Sequence, residues 1–276
     1  LVSISHLMLR SEGDRLTRVV VCTPVREYFR IEDLGAHNIG AVAGRERALE
    51  QHDALKSVLR DFGCEVIDVP ELDGHPNSVF TRDTAVCTPR GYVKVRMGLE
   101  TRRGEEEWMA RVLDGLGEPR AGEIVAPGTV EGGDVILAGD VAFVGRSTRT
   151  NEEGIRQLAE ILKDMGYEVR VAHVPHPFLH IGGAMTVVGD GTVLCCRGVF
   201  PPGFFRGFET IEIPAGSFIS GNVIHLGDGE VIAEKSNRKA MGALRAHGYK
   251  IHELDLSEFV KGTGGPSCLI MPVERR

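Results

Sequence analysis

Four stretches of the chain place apolar runs on either side of a turn. They are "NSVFTRDTAVCTPRGYVKV", "GGDVILAGDVAFVGRS", "GGAMTVVGDGTVLCCRG" and "SGNVIHLGDGEVIAEKS". Their turns, Pro-Arg-Gly, Ala-Gly-Asp and twice Gly-Asp-Gly, are hairpin chemistry, so each stretch predicts two strands. The stretches begin near residues 77, 132, 182 and 221, at spacings of 55, 50 and 39 residues. Between most of them the apolar positions recur at helical spacing instead. "RERALEQHDALKSVLRDFG" carries Ala48, Leu49, Leu55, Val58 and Leu59 as one stripe. "TNEEGIRQLAEILKDMG" opens with Thr150 as N-cap and Glu153 three residues on, a capping box, and Gly166 ends it. "SNRKAMGALRAHG" starts at Ser236 or Asn237 and stops at Gly248. Short β-rich runs, "CEVIDVP", "YEVRVAHV" and "YKIHELD", follow these three helices.

The pattern predicts a repeated unit of hairpin, helix and strand, at a period in the range where repeats decide the fold. Such a unit cannot bury its own faces and must pack on its neighbours. The stretch 199–217, "VFPPGFFRGFETIEIPAGS", lacks a long helix and reads as a reduced unit. No Pro- or Ser-rich linker interrupts the chain, so one domain is expected over residues 1–276. Five units around an axis would close every sheet edge.

Composition narrows the partners. The net charge of −7 and pI near 5.8 argue against nucleic acid, which calls for a basic footprint. No basic region followed by an apolar run opens "LVSISHLMLRSEGDRL", so no signal peptide is expected. No stretch approaches 18 uncharged apolar residues, so no membrane span is expected. Six scattered cysteines (22, 64, 87, 195, 196, 268) predict free thiols and a cytoplasmic location. Adjacent Cys195 and Cys196 fit no zinc spacing.

Four places carry candidate chemistry. Cys268 follows Gly264, Gly265 and Pro266; a lone cysteine is usually inert packing, but packing does not require a shaped glycine loop. His180 stands between Leu179 and Ile181 and precedes Gly182 and Gly183, glycines that suit close approach of another group. Glu131 and Asp134 flank a glycine pair, as either a solvated turn or a paired site. Asp83 is placed inside an apolar strand beside Arg82. No phosphate-binding glycine loop ending in Gly-Lys-Ser/Thr and no hydrolase Gly-x-Ser-x-Gly elbow occurs.

Together, "EGGD", a histidine before the next hairpin and "GGPSC" near the end resemble the guanidino-group-modifying enzymes, the penteins, from about residue 17 onward. Length and histidine-to-cysteine spacing look like dimethylarginine dimethylaminohydrolase, whereas "PNSVFTRD" and "GGPSC" look like arginine deiminase without its helical insert. The resemblance implies a five-bladed, pseudo-symmetric α/β propeller. It also implies a hydrolase for arginine or an N-methylated arginine, acting through a covalent cysteine thiouronium and giving citrulline plus ammonia or an amine. Cys268 would be the nucleophile, His180 the general acid/base, and Glu131 the carboxylate that orients it or holds the guanidinium. Asp83 would take guanidinium N–H groups, and Arg102 and Arg149 would clamp the α-carboxylate. No metal and no cofactor are implied; the partner is a small guanidino amino acid, and a homodimer is compatible with it.

Departures are also visible. Ile181, Gly182 and Gly183 follow His180 where deiminases carry Leu-Asp, and Arg82 and Asn77 stand where dimethylarginine hydrolases commonly carry acids. An asparagine in this loop suits the branch that hydrolyses arginine to ornithine and ammonia. An amidinotransferase sharing the covalent half-reaction, and a non-catalytic ring that binds a partner, are the other readings. Gly35, Gly40 and Gly44 make residues 24–44 either a mobile flap or an ordinary surface loop.

Overall fold

The computed structural model describes residues 9–276; the sequence expectations for residues 1–8 lie outside the described residues. β1 (Leu16–Val21) pairs in parallel with β2 (Glu65–Asp68) across α1 (Arg45–Asp61). β3 (Val86–Thr88) and β4 (Gly91–Lys94) form a hairpin, and α2 (Glu105–Gly115) leads to β5 (Arg120–Glu123), parallel to β4. The same order returns in β6 (Val135–Ala138), β7 (Val141–Arg146), α3 (Glu152–Asp164) and β8 (Glu168–His173). In the fourth unit β9 (Met185–Gly189), β10 (Thr192–Cys196) and β11 (Glu209–Ile213) follow with no helix between the last two. β12 (Ile224–Gly227), β13 (Glu230–Glu234), α4 (Arg238–Ala246) and β14 (Lys250–Leu254) make the fifth. The short α5 (Ser257–Val260) precedes β15 (Met271–Arg275), which returns antiparallel to β1 and completes the first sheet.

Five three-stranded sheets result. Contacts run from β15 to β3, from β6 to β9, from β9 to β12 and from β12 to β1, and the turns ahead of β3 and β6 touch. The sheets therefore form a ring, a five-bladed α/β propeller whose inner strands are β15, β3, β6, β9 and β12. Each helix lays its apolar stripe on the outer side; α3, for instance, buries Leu158 and Leu162. Its N-cap is Asn151, whose side chain accepts from Gly154 N, one residue later than the Thr150 expected from the capping-box pattern. Thr150 is instead buried, its hydroxyl accepting from the backbone N–H of Glu131 at 3.1 Å.

The reduced fourth unit replaces its helix with rings. Phe143 of β7 packs edge-on or tilted against Phe204, Phe205 and Phe208, at centroid distances of 5.1, 5.4 and 5.2 Å. Aromatic pairs in this geometry add to area burial, so the cluster does for this blade what a helix face does elsewhere. Phe143→Ala is expected to cost about 3–5 kcal/mol, read as a fall in the urea midpoint with unchanged slope. A cost under about 1 kcal/mol would show that the cluster is not holding the blade.

Candidate active site

The residues singled out from the sequence converge through a feature that repeats in every blade. A tight turn precedes each inner strand: Thr81–Thr84, Gly132–Asp134, Ile181–Gly183 and Pro266–Leu269 are single 3-10 turns. In the fifth blade a turn through Ile219 ends at Asn222, whose N–H donates to the Ile219 carbonyl. Asp83, Glu131, His180, Asn222 and Cys268 occupy or flank these five turns. Asp83 is thus in a 3-10 turn, not inside a strand as the sequence pattern suggested; β3 begins only at Val86. Its backbone leaves the extended path because the turn must carry the side chain inward.

Crowding at the centre explains the glycine pairs. A Cβ on Gly133 would lie 2.6 Å from Asp83 Oδ1 and 2.8 Å from His180 Cγ, and one on Gly265 would lie 2.7 Å from Asn222 Cγ. Real Cβ atoms do not approach so closely, so glycine is required at both places.

His180 is buried between carboxylates. Its Nε2 lies 2.6 Å from Glu131 Oε2 and its Nδ1 lies 3.7 Å from Asp83 Oδ1. Burial would lower its pKa, but Asp83, Asp134 and Glu131 outweigh that and push it up to about 9. Glu131, although fully buried, is driven down to about 2 by the bonded imidazole and by Arg149 and Arg102. The backbone N–H groups of Gly98 and Leu99 also donate to Glu131, each at 3.2 Å. Asp134 is a paired site: it accepts from Ser147 Oγ at 2.6 Å and from Ile181 N at 2.9 Å, fixing the turn that follows His180. Burial raises its pKa to about 6.

The two arginines expected to clamp a carboxylate are placed differently from each other. Arg102 is fully buried; its Nε and Nη2 fork onto Glu105, each at 2.9 Å, and its Nη1 donates to Asp83 Oδ2 at 2.6 Å. Nη2 also reaches the carbonyls of Phe80 and Asn77. The geometry therefore favours Arg102 as the group that positions Asp83, because a clamp would have to break these bonds. Arg149 Nη1 donates to both oxygens of Glu131, at 3.2 and 3.1 Å. Its Nε and Nη2 have no hydrogen-bond partner among the described residues.

A small, partly open cavity is bounded by Asn77, Asp83, Arg149, His180 and Cys268, with Asn38 and Thr263 at its side. Asn77 donates to the His37 carbonyl at 3.0 Å, and its Oδ1 is buried without a partner. The 24–44 segment is tied across this side: Thr101 Oγ1 donates to the Ala36 carbonyl, and Gly40 N to the Lys261 carbonyl. Ligating atoms of Asp83, Glu131 and His180 lie within 4.8 Å of one another, so they could gather a cation. Arg102 and Arg149 already sit on the two carboxylates.

Cys268 is half-buried, and desolvation pushes its thiol up to about 11, with Asp83 acting in the same direction and the Gly265 N–H against it. Gly265 N lies 3.4 Å from the sulfur. The second donor is Asn222, which the sequence reading missed. Its Oδ1 accepts from Ser267 N at 3.0 Å, while its Nδ2 donates to the Gly182 carbonyl at 3.1 Å and stands 3.9 Å from Cys268 Sγ. One side chain thus ties the cysteine turn to the histidine turn. Its sequence signal was positional: "SGN" occupies the place in its repeat that "EGGD" occupies in another.

Two outcomes are expected. Asn222→Asp keeps the acceptor for Ser267 but sets a negative charge beside the sulfur, so the pH profile for Cys268 alkylation should move to higher pH with the fold intact. An unmoved profile would remove Asn222 from the thiolate's environment. Separately, the pKa of His180 is raised on folding, so its stabilising contribution is complete below about 6.5 and is lost as pH rises through about 9. The difference in urea midpoint between the protein and His180→Asn should shrink across that window; a constant difference would contradict the charged imidazole.

Comparison with known proteins places the chain in a family. Residues 36–275 match the family described as N,N dimethylarginine dimethylhydrolase, eukaryotic. The dimethylarginine dimethylaminohydrolase of Pseudomonas aeruginosa is 31% identical over 251 residues, 91% of this chain and 97% of the relative. That of Streptomyces coelicolor is 34% identical over 227 residues, 80% of this chain and 84% of the relative. The solved structure of a cysteine-to-serine variant of the Pseudomonas aeruginosa enzyme with citrulline superposes with a TM-score of 0.81 at 30% identity, covering 93% of this chain and 99% of that one. The chain belongs to the dimethylarginine dimethylaminohydrolase family.

Proposed function

We propose that this protein hydrolyses the guanidino group of arginine or an N-methylated arginine, releasing citrulline and ammonia or an amine. The observation that carries the reading is one cavity bounded by a thiol, an imidazole and an acid: Cys268, His180 and Asp83. A guanidinium carbon is a poor electrophile, because resonance spreads its charge. A thiolate can attack it, which divides a hard displacement into two easier steps. Asp83, held by Arg102, takes guanidinium N–H groups as a charge-assisted acceptor, and Asn77 Oδ1 offers a second acceptor. Arg149 meets the α-carboxylate with its Nε and Nη2, which makes a decarboxylated guanidine a weaker ligand.

In the first half-reaction Cys268 Sγ bonds to the guanidino carbon and the C–N bond breaks. The departing nitrogen takes a proton from His180, which rests protonated because its pKa is about 9. A cationic thiouronium remains on the sulfur. Water then adds to that carbon as His180 takes one of its protons, and the C–S bond breaks to give citrulline and free thiolate. Cys268 rests as a thiol, pKa about 11, so the incoming cation must favour its ionisation. Glu131 holds the imidazole in place through both states and so orients the acid that becomes the base.

Arginine, monomethylarginine and dimethylarginine should each be incubated with the protein, with citrulline, ornithine and released amine read separately. Citrulline with an equal amount of amine or ammonia is the expected result. Ornithine with two ammonia would instead indicate the dihydrolase reading that Asn77 suggests, and transfer to added glycine would indicate an amidinotransferase. Cys268→Ser should lose activity by on the order of 10³-fold or more while keeping its melting temperature. Substantial residual turnover would rule out the covalent route.

A further inference from the structure

Behind Cys268 the propeller axis opens into a second, narrow cavity that is partly open to solvent. His180, Asn222 and Cys268 lie at one end, and apolar Ile136, Met185 and Val187 along the wall. β15 runs from Met271, beside the cysteine turn, to Arg275, four residues or roughly 13 Å further along. At that remote end the lining changes to Glu12, Arg82, His225 and Arg275.

Arg275 is 5% exposed. Its Nη1 donates to the carbonyls of Asp14 and His225, at 2.8 and 2.9 Å. Its Nε is buried with no partner, and among the described residues no carboxylate comes within 4.0 Å of it. The Asp14 carboxylate is near enough to act on its charge but beyond pairing distance. Buried charges are ordinarily paired, because an unpaired one forfeits its hydration without compensation. Glu12 also acts on the Arg275 charge from a distance, but its direct ion pair, at 2.5 Å, is with Arg82 Nη2. Arg82 is itself buried and adds to the positive field; burial first, and then the Arg82 charge, press the Arg275 pKa down to about 10, against the raising effect of Glu12. His225, held with its Nδ1 at 2.9 Å from the Glu12 carbonyl, is kept neutral by burial at a pKa of about 4, so it neither adds to nor relieves that field. At this end of the cavity the Arg275 guanidinium has no carboxylate bonded to it among the described residues, and its Nε is left without an acceptor.

We propose that the remote end of the axial cavity binds a small monovalent anion, chloride or a carboxylate of formate size, on the open N–H groups of Arg275 beside Arg82. A single guanidinium without a bonded carboxylate, its charge already partly offset by Glu12 and Asp14, suits a monovalent ion, and the walls of Ile136, Val187 and Ile224 exclude one that must keep a large hydration shell. The site is tied to the catalytic end by sequence, since Arg82 shares its turn with Asp83. Arg82 stands where similar hydrolases commonly carry an acid, so the site is a property of this chain's own residues.

The test uses the whole protein. Its melting temperature should rise saturably with sodium chloride and sodium formate relative to sodium gluconate at equal ionic strength, by about 2–4 °C near saturation. Arg275→Gln should abolish that difference. Because this variant could fail to fold, crystals of the unaltered protein soaked in sodium bromide provide an independent reading. An anomalous peak beside Arg275 Nε inside the cavity is expected. Equal melting temperatures in all three salts, or bromide peaks confined to the outer surface, would overturn the proposal and leave the cavity to water alone.

Discussion

Five backbone turns meeting at one axis leave no room for side-chain carbons that do not belong to the chemistry. That steric limit organises the molecule. Gly133 lies so close to Asp83 and His180, and Gly265 so close to Asn222, that a methyl group at either would force the turns apart. With glycine there, blades whose turns are far apart in sequence can each send one polar side chain inward. The ring must also close for the turns to meet, and it closes through β1 and β15, the two ends of the described chain. A cysteine near residue 270 can therefore face a histidine near 180 and acids near 83 and 131.

The same crowding creates the electrostatics. Most of these charged side chains are buried, so the partners each one finds determine its protonation. His180 is surrounded by carboxylates and rests as a cation; Glu131 is held ionised by His180 and Arg149. Arg102 and Glu105 form a fully buried pair whose remaining reach fixes Asp83. Two arginines that look alike in sequence thus differ in what they have left to offer. Arg102 is bound on every nitrogen, whereas Arg149 retains two nitrogens for a ligand.

Placing the reactive sulfur at the junction of two cavities separates two demands. The front cavity is polar and lined by charges that suit a guanidino amino acid. The axial cavity behind it has apolar walls until its far end, where Arg275 has no carboxylate bonded to it among the described residues. Asn222 stands between them, and its three contacts join the cysteine turn to the histidine turn. Displacement of the cysteine or histidine turn would be felt at the sulfur, because Asn222 is bonded to both.

Local pattern was enough for the repeat, because hairpins, capped helices and alternating strands are set by neighbours a few residues apart. It was also enough for the reduced fourth unit, where "PPGFF" forbids a helix and supplies rings in its place. Glycine pairs beside Cys268, His180 and Glu131 marked close approach, but grouping these residues with Asp83, which has no glycine beside it, rested on the resemblance to the guanidino-modifying enzymes. Three things were decided only by the tertiary structure. Asp83 sits in a turn, because inward aim at the axis overrides the strand pattern around it. Arg102 is absorbed by Glu105 and Asp83, because the partner of a long charged side chain depends on what is packed beside it. Asn222 and Arg275 acquire their meaning only where blades distant in sequence share one axis; no interval along the chain records that distance.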